Sequence, residues 1–193
     1  MMIGNPSVFA IESEITTAYE KLSLRALGFF VLHIGGKSYG VRKQDATMLA
    51  CSFDEVRDRI ACRGKYTVPF ATDLDAGKIA DAFRNAIFAE EQEESYLGIP
   101  LADLQEIFNT TTCDRMWAPD GDEAFDDASY VLQFDAESRV RLIAFKSGEG
   151  YGHDRSTLSD IWLPADDFYD ILRRWADGFE AEWASLPKFS VSD

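Results

Sequence analysis

The densest chemistry in the chain is Asp120-Gly-Asp-Glu-Ala-Phe-Asp-Asp127, where Asp120, Asp122, Glu123, Asp126 and Asp127 put five carboxylates within eight residues. Carboxylates so crowded can hold a hard cation, divide acid and base work in a hydrolysis, or present negative charge to a partner. The spacing departs from the D-x-[DN]-x-[DN]-G loop of calcium sites and lacks its distal bidentate Glu. Hydrolysis by paired carboxylates needs a cleft and a raised pKa, and neither is legible in a sequence. A solvated acidic loop is the plain reading, and a docking surface for a basic protein is the leading functional one. A Ca/Mg-binding, hydrolase-like enzyme using Asp120 to Asp127 stands as the alternative, together with an acidic scaffold or mimic of nucleic-acid charge. Glu91, Glu93 and Glu94, in the run that starts at Glu90, extend the same candidate surface, and Trp117 just ahead of the cluster is its candidate aromatic anchor. Core burial of that tryptophan is the competing reading.

Other motifs carry less. Gly148-Glu-Gly-Tyr-Gly152 has the glycines of a phosphate loop but neither the lysine nor the following helix, so it reads as a flexible loop. His153-Asp154 with Ser156 is no triad, since no G-x-S-x-G elbow exists. His33 sits in an apolar run and reads as a satisfied core histidine, and Trp162, Trp175 and Trp183 read as core. Cys51, Cys62 and Cys113 form an odd set without a Cys-x-x-Cys pair, which reads as buried, reduced thiols of a cytoplasmic protein. No catalytic residue, metal or cofactor is assigned.

These residues must be placed by elements that the hydrophobic patterning predicts. Alternation over 7–16, the aromatic and β-branched run Ala26 to Ile34, and Gly35-Gly36 ahead of Ser38 to Val41 predict an antiparallel meander. Ser52 and Glu55 have capping-box spacing for a helix ending near Gly64. Apolar residues at three- and four-residue intervals predict a helix over about 73–89, with the Glu90 to Glu94 run opposing its negative dipole end and forming a loop. Pro100 opens a short helix to Phe108. Ser129 to Phe134 and Arg139 to Lys146 form a hairpin, Leu158 to Leu163 a further strand, and Pro164 opens a C-terminal amphipathic helix striped with Phe168, Leu172, Trp175, Phe179 and Trp183. Hairpins with interspersed helices predict an α+β fold: a single domain over 1–187 with a mostly antiparallel sheet and several packed helices, followed by a disordered tail over 188–193.

The whole chain has 193 residues and a net charge of −15, from 19 Lys+Arg against 34 Asp+Glu. That balance disfavours phosphate backbones and anionic lipid, so neither nucleic acid nor membrane is expected as a direct partner. No apolar run approaches the roughly 18 residues of a membrane span. The excess is local: Glu90 to Glu94 carries −4, Asp114 to Glu137 carries −7, Pro164 to Ala184 carries −4, and the remainder balances.

The opening Ile3-Gly-Asn-Pro-Ser-Val-Phe-Ala-Ile-Glu-Ser-Glu-Ile15, the run Gly28-Phe-Phe-Val-Leu-His-Ile-Gly-Gly36 and the closing Trp162-Leu-Pro-Ala-Asp-Asp-Phe-Tyr-Asp-Ile-Leu172 resemble the Imm42 family of immunity proteins. The resemblance extends to the hairpin near Tyr130 to Phe145. It implies a cytoplasmic α+β protein of a bacterial polymorphic toxin system that binds and neutralises a cognate toxin domain without catalysis. A toxin that holds phosphates must be basic, and an acidic face would meet it.

Overall fold

The computed structural model describes residues 1–70, 74–109, 113–117 and 123–190. The first sheet contains β1 (Met2–Asn5), β2 (Phe9–Ala18), β3 (Ala26–Ile34), β4 (Lys37–Tyr39) and β5 (Thr47–Met48), in the order β1-β2-β3-β4 with β5 also on β3. All its pairings are antiparallel. The turn into β4 uses Gly35 and Gly36 at φ +61° and +80°, the left-handed values a tight hairpin requires. Where the β2–β3 register slips between Ile15 and Thr17, the backbones close so tightly that a Cβ on Gly28 would lie 1.9 Å from the Glu14 carbonyl oxygen.

Helix α1 (Leu49–Ala61) follows β5 directly, so its N-cap is Met48, and the Ser52/Glu55 capping box does not form. Continuity with the strand starts the helix four residues early. This buries Ser52 and leaves Glu55 for Arg59. Helix α2 (Ala76–Phe88) is capped by Asp75, which accepts from the Lys78 amide at 3.1 Å. The small strands β6 (Ser95–Tyr96) and β7 (Ile99–Pro100) lead into α3 (Leu101–Phe108).

The second sheet is β8 (Met116–Trp117), β9 (Ser129–Ala136), β10 (Arg139–Lys146) and β11 (Ser159–Pro164), in the order β11-β10-β9-β8, with a short 3-10 turn at Glu123–Phe125 ahead of β9. Both faces of this sheet are covered. Val131, Val140, Leu142 and Ala144 join Phe9, Ile11, Phe30 and Leu32 and the helices α1 and α4 (Ala165–Ser185) in one core. Leu132, Phe134, Ile143 and Phe145 point the other way and pack on α2 and α3. Period-two alternation with apolar residues on both faces accounts for the near-continuous hydrophobic runs of β9 and β10.

A buried polar chain crosses between the layers. The Arg59 guanidinium, 1% exposed, meets Glu55 Oε1 at 2.6 Å, donates to Gln133 Oε1 at 3.0 Å and to the Met116 carbonyl at 2.7 Å, and lies 4.4 Å from the Trp117 ring. Gln133 donates onward to the Tyr169 hydroxyl at 2.9 Å, and that hydroxyl donates to Asp135 at 3.0 Å. Buried charge is tolerable here because nearly every polar group along the chain is answered.

One expectation about the covalent chain is corrected. Cys62 and Cys113 form a disulfide with Cα atoms 5.6 Å apart, and Cys51 is exposed, so the thiols are not a set of buried, reduced side chains. The α1 terminus and the approach to β8 are brought together by the Arg59–Met116 contact, a juxtaposition that spacing along the chain cannot reveal. Near the C-terminal end Phe189 donates from its amide to the Ala18 carbonyl at 2.8 Å and bridges Tyr19, and 191–193 lie outside the described residues.

Candidate functional site

The acidic segments divide between structural duty and open display. Asp127 accepts from the Gly40 amide at 3.3 Å and the Ser129 amide at 3.2 Å and pairs with Lys146 Nζ at 2.6 Å. It therefore closes the loop onto β4 and β9, with its charge already met. Asp135 is buried under Tyr169, and Asp114 is half-buried, where desolvation pushes its carboxyl above the usual range against the lowering effect of the Met116 amide. Glu123 and Asp126, by contrast, are exposed. Asp120 and Asp122 lie outside the described residues. The segment's nominal −7 thus overstates what it displays to a partner.

Trp117 does not stand on this surface. It is 1% exposed, lies against Phe30 with ring centroids 6.4 Å apart, and stacks on Arg59, so its role is core packing. Its position on β8, paired with Val131 of β9, draws the indole into the core shared by both sheets.

Glu90, Glu91, Glu93 and Glu94 are all exposed in the irregular stretch after α2. Gln92 reaches back to the Ala86 carbonyl at 2.9 Å and the Tyr96 hydroxyl accepts the Glu93 amide at 2.9 Å, so the run is looped and anchored. Phe88, the last residue of α2, packs on Tyr130 of β9 with centroids 5.7 Å apart. The third segment lies on α4, across the second sheet from α2. There Asp166 pairs with Arg63, whose guanidinium holds its carboxyl below the usual range, and Asp170 pairs with Arg174 at 3.3 Å. The end of α2 thus meets the start of β9, whereas the turn bearing Glu123 and Asp126 packs Ala124 and Phe125 into the core shared with α1 and α4.

Among the described residues no group of three His, Cys, Asp or Glu side chains is placed to hold a metal ion. His153 is not a lone loop residue: its Nδ1 lies 2.7 Å from Asp81 Oδ1, and its backbone amide donates to the same oxygen at 3.0 Å. With the Gly148 amide bonded to the Gly152 carbonyl at 2.9 Å, this ties the glycine loop to α2, where sequence alone predicts flexibility. His33 is mostly buried and bridged between Glu12 at 2.9 Å and Ser38 at 3.2 Å, with Arg42 also on Glu12 at 2.7 Å. Trp162 is only partly buried, beneath the Arg139 guanidinium at 4.3 Å.

The family model of immunity protein 42, Imm42, matches residues 1–178. The chain belongs to the Imm42 family. No curated protein matches it. Among solved structures, CdiI from Burkholderia dolosa AUO158 is similar, with a TM-score of 0.56 over 92% of this chain and 99% of that one, at 15% sequence identity. At that identity the likeness is one of fold, and it spans both sheets of the Imm42 chain. No helix among the described residues is long and apolar enough to cross a membrane.

Proposed function

We propose that this Imm42 chain acts in the cytoplasm, where it binds and neutralises a cognate, basic toxin domain through an acidic surface and catalyses nothing itself. The observation that carries the reading, beside family membership, is the open display of carboxylates on two segments: Glu90, Glu91, Glu93, Glu94, Glu123 and Asp126 are exposed, and no basic residue lies within 90–94 or 123–127. Charge arranged in this way raises the association rate above a neutral value of about 10⁵–10⁶ M⁻¹s⁻¹, towards 10⁸ M⁻¹s⁻¹ at low salt. It also disfavours a direct nucleic-acid partner, whose phosphates would be repelled.

The test is co-expression of the chain with the toxin domain encoded directly upstream of it, read as growth, and binding of the purified pair at increasing salt. Protection, together with an association rate that falls at least tenfold between low and high salt, supports the reading. Absence of protection and binding overturns the immunity role. Binding whose rate ignores salt overturns the acidic surface. Replacing Glu90, Glu91, Glu123 and Asp126 by their amides should flatten the salt dependence, whereas Asp127→Asn should disturb the loop that Asp127 holds together.

A further inference from the structure

We infer that the toxin-docking surface centres on an aromatic cluster, Phe88, Tyr130 and Tyr151, which accepts a projecting arginine or lysine of the toxin domain between flanking carboxylates. The inference rests on the immunity reading and locates its contact point. Phe88 is 39% and Tyr151 37% exposed. Phe88 is fixed against Tyr130 and Phe83, with centroids 5.7 and 5.9 Å away. Beneath them the buried Arg84 guanidinium lies 5.5 Å from the Phe88 ring and 5.2 Å from that of Tyr130, and donates to Ser147 Oγ and to the Gly150 carbonyl. Arg84 therefore holds the loop bearing Glu149 and Tyr151 beside the Phe88–Tyr130 pair.

Exposed carboxylates adjoin two of the segments that build this cluster. Glu90 and Glu91 follow Phe88, and Glu149 precedes Tyr151. Rigid aromatics carry most of the energy of a protein interface when a partner seals them from water, and their ring faces attract cations. Carboxylates around them attract the same cations and turn away phosphates and acidic partners. Of the other exposed apolar side chains, Leu22 and Phe189, the most exposed, lie on segments that also carry Lys21, Arg25 and Lys188 against Glu20, a charge balance that would repel a basic partner.

The experiment measures binding of the upstream-encoded toxin domain, carried as an inactive variant, to the full chain. Phe88→Ala with Tyr151→Ala should weaken affinity about 30-fold or more, as loss of aromatic anchors does. Glu90→Lys, Glu91→Lys and Glu149→Lys together should slow association about tenfold while changing dissociation less than about threefold. Leu22→Ala with Phe189→Ala should bind as the wild type does. Tyr151→Ser alone, on an exposed loop, keeps the test valid if the double variant loses thermal stability, and should weaken binding at least about fivefold. Wild-type binding accompanied by patch variants within threefold of it overturns this inference and leaves the immunity role standing. A wild-type chain that neither binds nor protects overturns the role itself.

Discussion

The disulfide between Cys62 and Cys113 spans 51 positions and closes a loop that contains α2, α3 and the small β6–β7 hairpin, the whole layer that covers the outer face of the second sheet. Cross-linking the two ends of that layer removes conformations from the unfolded chain. For a loop of this length the chain-entropy relation gives about 4 kcal/mol at 25 °C. Against a typical total of roughly 5–15 kcal/mol this is a large share. The perturbation is Cys62→Ser with Cys113→Ser, compared with the oxidised wild type whose disulfide has been verified by mass. Urea unfolding should show a loss of about 4 kcal/mol with a somewhat steeper denaturant dependence, because the released chain exposes more surface when unfolded. In a thermal scan the midpoint should fall by roughly 8–16 °C, at the 2–4 °C per kcal/mol usual for a protein of this size. Thiol titration of the denatured, unreduced wild type should find one thiol, Cys51, and three after reduction. A double-serine variant that unfolds at the wild-type urea concentration and temperature would refute the reasoning, and so would three titratable thiols before reduction.

Three further perturbations test the interior. Arg59→Met leaves Glu55, Gln133 and the Met116 carbonyl without their donor and should cost about 3–5 kcal/mol in urea unfolding, the range for breaking a buried charged pair. Trp117→Ala should cost about 3–5 kcal/mol through the cavity it leaves. In a toxin-binding assay at a temperature where the Trp117→Ala variant stays folded, its affinity should match the wild type, whereas a large loss would return Trp117 to the interface. Burial pushes the Tyr39 and Tyr66 phenols up to about 12 and, with Asp135 beside it, also raises that of Tyr169. The folded state holds these protons where the unfolded chain releases them near 10, so their contribution is intact below pH 10 and lost as pH climbs through 12. Absorbance titration of the seven tyrosines should show three ionising only together with unfolding, and complete ionisation near pH 10 in folded protein would contradict this.

How much of this could be read from the chain depended on whether the deciding force was local. Ala26 to Ile34 is a strand with its predicted bounds, because β-branched and aromatic residues run unbroken to a glycine pair that can take the turn. Helix α3 begins at Leu101, one residue beyond the predicted start, because Pro100 pairs with Ser95 in extended form and serves as the N-cap rather than the first turn. The capping box of α1 was a local signal overruled by a non-local one: β5 pairs with β3 and carries the chain extended to Met48, where the helix begins. Trp117 and the cysteines were not assignable because their partners, Arg59, Phe30 and each other, are distant in sequence.

By itself the sequence determined the alternation of strands and helices, the α+β class, the family, and the confinement of the negative charge to three segments, all properties of neighbouring residues or of composition. Only the tertiary structure decided which charges remain for a partner. Packing both faces of the second sheet buried Asp135, Trp117 and the Arg59 chain, committed Asp127 to a turn, and sent α4 to the far side. The same packing set Phe88 against Tyr130 and so joined the end of α2 to the start of β9. Which carboxylates meet is settled by the sheets and helices that carry them, because contacts between distant residues form only once the apolar faces have closed.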